Sequence, residues 1–287
     1  PRRFIQILAG ESPSPYTEGS GRRELAESVT APDNPLTARV IVNRVWQWHF
    51  GKALVRTPSN FGVLGEKPTH PQLLDWLAYD FVEHGWSLKR LHRQIMLSST
   101  WQMSSRFDKE KFTVDGDNNF LWRMNPRRLE VESWRDSLLA VTGELDQRVG
   151  GKPDGEILRS KRRTLYATIS RTGDRFESDA FLRLFDFPAA VSTSASRPTS
   201  TVPQQYLFMM NSPFMNERAR TLGDHLNGLK EPISERIKIA YQQLYSRFPD
   251  PAEIELGKQW LGDNLSSKRW QQYAQVLLSA HELIQIQ

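Results

Sequence analysis

The sequence predicts a mainly α-helical fold: an irregular multi-helix domain with long loops and at most a small β element in the middle. Apolar residues recur at helical spacing over most of the chain. Proline repeatedly stands where the first residue of a helix is expected, because its missing N–H would be unpaired there in any case. Only one short stretch, TLYATIS at residues 164–170, has the composition of a strand.

Four Xaa-Pro pairs mark expected helix starts: Asn34-Pro35, His70-Pro71, Ser212-Pro213 and Asp250-Pro251. Gly85 is placed to end the helix that starts at Pro71, and Ser87 is placed to cap the next one. The predicted helices cover about residues 34–51, 71–84, 88–96, 129–142, 203–211, 213–226, 232–246, 251–263 and 267–284.

By composition, the chain divides into four segments. Residues 1–33 are expected to form an N-terminal extended segment, residues 34–149 a helical N-terminal half, and residues 202–287 a helical C-terminal half. Residues 150–201 contain GGKPDG, RSKRR and STSASRPTS without a sustained helical period, which indicates an irregular, loop-rich insertion around the candidate strand. We expect the two helical halves to pack as one domain.

The bulk composition excludes several classes of function. The 287 residues include no cysteine, which excludes disulfides, thiolate metal sites and covalent haem attachment within this chain. No run of about 18 uncharged apolar residues exists, so we expect no membrane span. The net charge is +5, but basic and acidic residues are intermixed, which does not favour nucleic-acid binding. The chain starts without methionine, so we expect a processed form or a fragment of a longer protein.

The first long predicted helix combines polar and apolar residues in an unusual way. Arg39, Asn43 and Gln47 follow each other at intervals of four and form one narrow stripe, while nearly every other position is apolar. Such a helix is expected to be buried, and its buried polar groups then need partners. The stripe either braces loops by bonding backbone carbonyls or lines a polar pocket for an anionic or hydroxyl-rich ligand. For His49, a structural role near the helix end is favoured over a ligand role.

The titratable residues do not form a recognisable metal or catalytic motif. The six histidines include no HExxH pair, and we predict no metal site. Acidic residues in SRTGDRFESDAFLRLFDFP alternate with arginines, which indicates ion pairs. Asp186 stands in an apolar run and must be paired, for instance with Arg163, Arg171 or Arg197.

A second polar segment, SASRPTSTVPQQYLFMMNSPF, leads from a turn-rich loop into an apolar helix. It carries Arg197, Gln205 and Asn211. These side chains either recognise a sugar or a peptide backbone, or satisfy carbonyls of the loop itself, and the sequence does not choose between these two interpretations.

Five long motifs resemble one family. They are NPLTARVIVNRVWQWHFGKALVRTPSNFG (34–62), HPQLLDWLAYDFVEHGWSLKRLHRQIMLSSTWQMSS (70–105), RRLEVESWRDSLLAVTGELD (127–146), FDFP (185–188) and RPTSTVPQQYLFMMNSPF (197–214). Together they closely resemble the C-terminal domain of unknown function of planctomycete cytochrome c-like proteins, over about residues 20–250. The final SAHELIQIQ departs from the family pattern, which leaves the register of the last helix open.

The resemblance implies one piece of an exported, extracytoplasmic multidomain protein with a neighbouring cytochrome c-like domain or protein. Haem c then belongs to that neighbour, and no cofactor is expected within this chain. The resemblance implies no catalytic residues, so whether the chain is an enzyme stays open. It does imply a set of candidates for one shared polar centre: Arg39, Asn43, Arg44, Trp46, His49, Arg163, Tyr166, Arg171, Asp186, Arg197, Gln205 and Asn211.

Three hypotheses for function follow. The first is a substrate-binding or catalytic part of an electron-transfer-coupled system that acts on a polyhydroxylated substrate such as a polysaccharide, because buried polar groups are combined here with many aromatic residues. The second is a non-catalytic helical scaffold or protein-interaction domain. A third and weaker hypothesis is nucleic-acid binding through basic residues, namely Arg127, Arg128, Lys161, Arg162 and Arg163.

Overall fold

The computed structural model describes residues 1–262 and 266–286. Its described residues form helices that are joined by long loops, with one two-stranded sheet. This confirms the predicted mainly α fold. The chain forms two compact units, residues 1–126 and residues 127–286. The boundary therefore falls inside the segment 34–149, and the packing of the two helical halves as one domain stays a prediction.

The first unit consists of helices and the loops that join them. Its helices are α1 (Gln6–Ala9), α2 (Arg22–Thr30), α3 (Thr37–Phe50), α4 (Pro71–Glu83), α5 (Leu88–Met96) and α6 (Lys109–Val114). Helices α3, α4 and α5 pack against each other and bury one apolar cluster, which includes Val42, Val45, Trp46, Phe50, Leu74, Leu77, Phe81, Leu91, Ile95 and Met124. The Trp46 and Phe50 rings stack at 4.2 Å between their centroids, which places one face of α3 deep in this core.

A buried carboxylate joins α4 to α5. Asp80 accepts hydrogen bonds from Arg90 Nε at 3.1 Å, Arg90 Nη2 at 3.0 Å and Gln94 Nε2 at 2.8 Å. The hydrogen bonds from Arg90 lower the pKa of Asp80, and those from Gln94 act in the same direction against the effect of burial. The carboxylate therefore stays ionised and fixes the two helices in register.

The second unit contains the remaining elements. They are β1 (Arg127–Arg128), α7 (Val131–Val141), a 3₁₀ turn (Thr164–Tyr166), α8 (Glu177–Leu184), α9 (Pro203–Asn211), α10 (Pro213–Gly228), α11 (Ile233–Tyr245), α12 (Pro251–Leu261), α13 (Ser267–Leu278), α14 (His281–Ile284) and β2 (Gln285–Ile286). The strands β1 and β2 are antiparallel, with Arg127 opposite Ile286 and Arg128 opposite Gln285.

The core of the second unit depends on a close approach of α10 to α13. Gly223 on α10 lies so near the backbone of Trp270 and Gln271 that a Cβ atom there would approach Gln271 Cα to 2.6 Å. Only glycine permits this distance. Trp134, Phe185 and other fully buried apolar side chains fill the core around the pair.

Two buried arginines lie against the same aromatic ring in this unit. The guanidinium carbons of Arg135 and Arg218 are 5.6 and 4.7 Å from the Phe214 ring centroid. Arg218 pairs with Glu144 at 2.7 Å between Nε and Oε2. Arg135 is fully buried and donates to loop groups, which are the carbonyls of Ile157, Ser160 and Arg162 and the hydroxyl of Thr164. Burial lowers the pKa of Arg135 to about 10, and the neighbouring Asp136 opposes this shift.

Most predicted helices are present with small shifts of their ends. Pro71, Pro213 and Pro251 each begin a helix as predicted, and Pro203 begins another. Pro35 does not, because α3 begins at Thr37. Residue 263, at which the helix predicted over 251–263 was expected to end, lies outside the described residues. The predicted helix 267–284 is divided into α13 and α14.

Other elements differ from the prediction. The segment 1–33, expected to be extended, contains α1 and α2, and α2 is supported by an ion pair between Arg23 and Glu27 at i, i+4. TLYATIS forms the 3₁₀ turn and an isolated bridge from Ala167 to Asp154 instead of a ladder strand. The partner segment pairs at Asp154, whose N–H donates to the Tyr166 carbonyl and whose carbonyl accepts from the Thr168 N–H, and the preceding Pro153 has no N–H with which to extend the ladder.

We expect the substitution Arg135→Ala to lower the free energy of unfolding by about 3–5 kcal/mol, because three buried carbonyls lose their donor. Arg135→Lys should recover only part of the loss, since an ammonium group cannot reproduce the planar fork. Urea denaturation followed by circular dichroism measures both. The control is Arg159→Ala, whose side chain is 80% exposed. Equal effects of the two alanine variants would contradict the assignment of Arg135 as a loop brace.

Candidate functional site

The middle residue of the polar stripe on α3, Asn43, hydrogen-bonds to the backbone of the loop that follows the helix. Asn43 is fully buried, donates from Nδ2 to the Val55 carbonyl at 3.0 Å, and accepts from the Val55 N–H at 2.8 Å. Its amide therefore replaces a strand partner for the loop that follows α3. Both the Nδ2 and the Oδ1 of Asn43 are engaged by these bonds, which agrees with the bracing interpretation for this residue.

Arg39 lies closer to the surface, with 36% of its side chain exposed. It donates from Nε to Asp75 Oδ1 at 2.6 Å and from Nη1 to the Pro35 carbonyl at 2.7 Å, so it ties the start of α3 to α4. Arg44 is half-buried, and its Nε has no hydrogen-bond partner among the described residues. Trp46 belongs to the apolar core.

His49 forms a contact between two histidines. Its Nε2 lies 2.7 Å from Nδ1 of His92, and its ring meets Trp101 edge-on with 4.9 Å between centroids. One ring must donate and the other accept, so at most one of the two carries a proton on both nitrogens. The pair joins α3 to α5 inside the first unit.

A polar cluster in the second unit is built around Asp186, directly after α8. Asp186 has φ = +68°, a left-handed conformation that is costly for residues with a Cβ atom, although aspartate tolerates it better than most. Its carboxylate accepts from the Ser200 hydroxyl at 2.6 Å, from the Ser200 N–H at 2.9 Å and from Arg128 Nη1 at 3.4 Å. These bonds hold the strained backbone in place.

Arg128 and Gln205 complete this cluster. Arg128 donates to the Ser200 carbonyl at 2.6 Å and to Gln205 Oε1 at 3.3 Å, and its guanidinium lies over the Phe185 ring. Gln205 is buried and donates from Nε2 to the Leu184 carbonyl at 2.9 Å. We call the set of Arg128, Asp186, Ser200 and Gln205 the clamp.

Arg197 fixes the same loop at a second point. It forms two parallel hydrogen bonds with Glu132 on α7, at 2.7 and 2.8 Å, and lies 3.5 Å from Glu130. Its guanidinium also lies over the Phe187 ring at 5.1 Å. A bidentate pair of this kind restrains the loop more strongly than a single contact. Residues 189–196 between these fixed points are exposed.

The other candidates in the second unit lie elsewhere. Arg163 is half exposed and lies 3.8 Å from Asp136. Tyr166 accepts from the Gly150 N–H at 2.6 Å. Arg171 stands in the exposed loop before α8, and Asn211 is exposed at the end of α9.

The structure therefore brings Asp186 and Gln205 together through Arg128, which donates to both, and fixes Arg197 on the same loop. The predicted partner of Asp186 was wrong: Arg128 takes the place expected for Arg163, Arg171 or Arg197. Sequence reasoning also missed Ser200 as part of the cluster. Arg128 is 58 positions from Asp186 in the sequence, and Ser200 is 14 positions from it. No local sequence pattern therefore identifies either residue as a partner of Asp186. A centre shared by the candidates of α3 and those of the second unit stays a prediction.

The described residues contain neither a group arranged to bind a metal ion nor a helix able to span a membrane. Within residues 1–262 and 266–286, no group of three or more histidine, aspartate or glutamate side chains is arranged to hold a metal ion. No helix in that part of the chain is both long and apolar enough to cross a membrane.

We expect Asn43→Ala to cost about 2–3 kcal/mol of unfolding free energy, because it leaves the buried N–H and carbonyl of Val55 unpaired. Arg39→Ala should cost only about 1 kcal/mol or less, since its ion pair is largely solvated. Chemical denaturation of both variants measures the difference. A larger loss for Arg39→Ala would mean that the outer part of the stripe, and not the buried amide, holds the unit together.

We expect Asp186→Asn to release the loop between the clamp and Arg197. Asparagine also tolerates φ > 0, so the change removes the charge of the clamp without adding backbone strain. Limited proteolysis with subtilisin, with cleavage located by mass spectrometry, should show cutting within residues 187–199 that is about 10-fold faster or more. The control is Asp174→Asn, which removes the same charge from the ion pair with Arg183. Unchanged cleavage in Asp186→Asn would refute the role of the clamp.

Comparison with known proteins identifies the family alone. No curated protein and no solved structure matches the chain. The model of the family PSD1, described as protein of unknown function (DUF1553), matches residues 21–261. This match covers most of the chain and includes α3, the clamp and Arg197. The chain is therefore a member of the PSD1 (DUF1553) family.

Proposed function

We propose that this PSD1 domain is a ligand-binding module that contacts a polyhydroxylated ligand, such as a polysaccharide, through the loop 189–196. The observation that carries this proposal is the clamp. A left-handed aspartate held by three hydrogen bonds at the base of an exposed loop is the kind of strained position that occurs at functional sites. Exposed loops that rigid elements hold in place are common binding surfaces.

The chemistry of the loop tip supports a hydroxyl-rich ligand. Four exposed hydroxyl residues, Ser192, Thr193, Ser194 and Ser196, stand between the two fixed points. Each hydroxyl donates one hydrogen bond and accepts others, which matches the hydroxyl groups of sugars. Because the base of the loop is already ordered, binding costs less conformational entropy than it would for a free loop.

Binding is better supported than catalysis at this site. The charged groups at the base of the loop are engaged with each other: Asp186 with Arg128, and Arg197 with Glu132. Such pairs position the chain and leave no titratable group directed at a ligand. We therefore assign them to positioning and assign recognition to the loop tip.

The wider context of this proposal comes from the family resemblance. We propose that the module belongs to an exported, extracytoplasmic protein in which a neighbouring cytochrome c-like domain carries haem c. In that arrangement the module would bring a polysaccharide to an electron-transfer-coupled partner. This chain would itself hold no cofactor.

One observation favours a second function, that of a protein-interaction domain. Tyr206, Leu207 and Met210 on α9 are 49%, 57% and 60% exposed, and form an apolar face on one helix. Gln275 of α13 donates to the Met210 carbonyl at 2.6 Å, so the end of this face lies beside α13. Exposed apolar faces of this kind are found at protein contacts.

Affinity electrophoresis through gels that contain a panel of neutral and acidic polysaccharides tests the proposal. At least one polysaccharide should retard the wild-type chain. Replacing all four hydroxyl residues of the loop tip by alanine should weaken that binding about 10-fold or more. The matched control replaces four exposed hydroxyl residues of the first unit, Ser12, Ser14, Thr17 and Ser20. If no polysaccharide retards the chain, or if both variants bind equally, the loop is not a sugar-binding surface.

A further inference from the structure

A small cleft in the first unit is lined by apolar residues together with polar and basic ones. Three segments meet there, residues 52–56, 69–70 and 118–121, and the apolar part of the lining comes from Trp46, Ala53, Leu54 and Leu121. The cleft encloses about 20 Å³. This is space for one or two water-sized groups, since one water needs roughly 10–15 Å³. It therefore admits one or two oxygens of a small head group, whose remaining atoms lie outside the enclosed space, and not a whole sugar ring.

The basic side chains of the cleft keep free donors. Lys52 uses one of its three N–H bonds on the Asp117 carbonyl at 2.7 Å. Arg56 donates from Nη2 to Asn119 Oδ1 and retains its other N–H groups. His70 contacts the Thr69 hydroxyl through Nδ1, which leaves Nε2.

No carboxylate neutralises this group of donors. None of the ten residues that line the cleft is acidic. Lys52, Arg56 and His70 form no ion pair with any described residue, whereas buried arginines such as Arg218 do. Like charges that gather without a counter-charge raise the local potential and attract anions.

The acidic side chain of the neighbouring loop is engaged by backbone groups of that loop. Asp115 accepts from the N–H groups of Asn119 and Phe120 at 2.8 and 2.7 Å, which uses both carboxylate oxygens. Asn118 and Leu121 have φ = +53° and +54°, and these left-handed residues fold the chain back toward the cleft. Asn118 is buried and hydrogen-bonded to Arg123 and Asn125, so this wall is fixed before any ligand arrives.

We propose that this cleft binds a tetrahedral oxyanion, sulfate or phosphate, with Lys52 and Arg56 as its charge partners and His70 and Asn119 as further donors. A tetrahedral anion offers oxygens in several directions, which fits donors that come from three separate segments. The anion is either a free ion or an ester group on a larger ligand. The site lies in the first unit and is independent of the loop 189–196.

Isothermal titration calorimetry and thermal unfolding of the whole chain test the site, with sodium sulfate, sodium phosphate or sodium acetate at constant ionic strength in sodium chloride. Sulfate or phosphate should bind and raise the melting temperature, and acetate should bind more weakly. The double variant Lys52→Gln, Arg56→Gln should weaken binding at least about 10-fold. Both side chains are exposed, and circular dichroism checks that the variant folds.

The matched control is Lys89→Gln, Arg93→Gln, which removes the same charge from exposed positions on α5 of the same unit. Equal weakening in both double variants would show diffuse charge attraction and overturn the proposal. No sulfate or phosphate effect beyond that of chloride would overturn it as well. Dextran sulfate compared with unmodified dextran distinguishes an ester on a polymer from the free ion. Binding of unmodified dextran reports on the loop 189–196, so the two proposals fail separately.

Discussion

Long loops inside a helical domain leave backbone N–H and carbonyl groups that neither a helix nor a sheet satisfies. Each such group costs about 1–3 kcal/mol if it is buried without a partner. In this chain, side chains on helices supply the partners. Asn43 on α3 pairs with both backbone groups of Val55, and Arg135 on α7 serves three loop carbonyls at once. The irregular fold depends on these side chains, because without them the buried loop backbone groups would be unpaired and the packed loops would be destabilised.

Whether an amide or a guanidinium side chain is used depends on the number and kind of backbone groups that need a hydrogen-bond partner. One residue that presents both an N–H and a carbonyl matches the donor and acceptor of a single amide, as Asn43 shows. Several carbonyls converging from one loop need many donors and no acceptor, and the guanidinium of arginine provides five donors in a fixed planar arrangement. The cost is a buried cation. Carbonyl dipoles, the nearby Asp136 and the face of Phe214 offset that cost for Arg135, whose pKa burial nevertheless lowers to about 10.

This arrangement explains which parts of the structure the sequence could predict. Helix starts depend on neighbouring residues, so Pro71, Pro213 and Pro251 were sufficient to place them. The burial of Trp46 and Asn43 followed from the apolar surroundings of α3. The clamp could not be predicted, because Arg128 and Asp186 are separated by 58 positions and their contact depends on tertiary packing. For the same reason, the candidates that the family resemblance implied included residues such as Arg163 and Asn211, which lie outside the clamp.

The residues that stand out in the sequence and the residues available to a ligand are different sets. A polar side chain in an apolar run is easy to notice in the sequence. It stands there because a buried backbone group needs a hydrogen-bond partner, and its polar atoms are then engaged by the protein itself. Asn43 and Gln205 are of this kind. Lys52 and Arg56 flank three buried apolar residues in the loop after α3, a pattern that marks no site in the sequence, yet they retain free donors beside a cleft that no carboxylate lines. In a domain whose loops are braced by side chains, ligand sites are therefore to be sought where hydrogen-bonding capacity remains after the backbone has been satisfied.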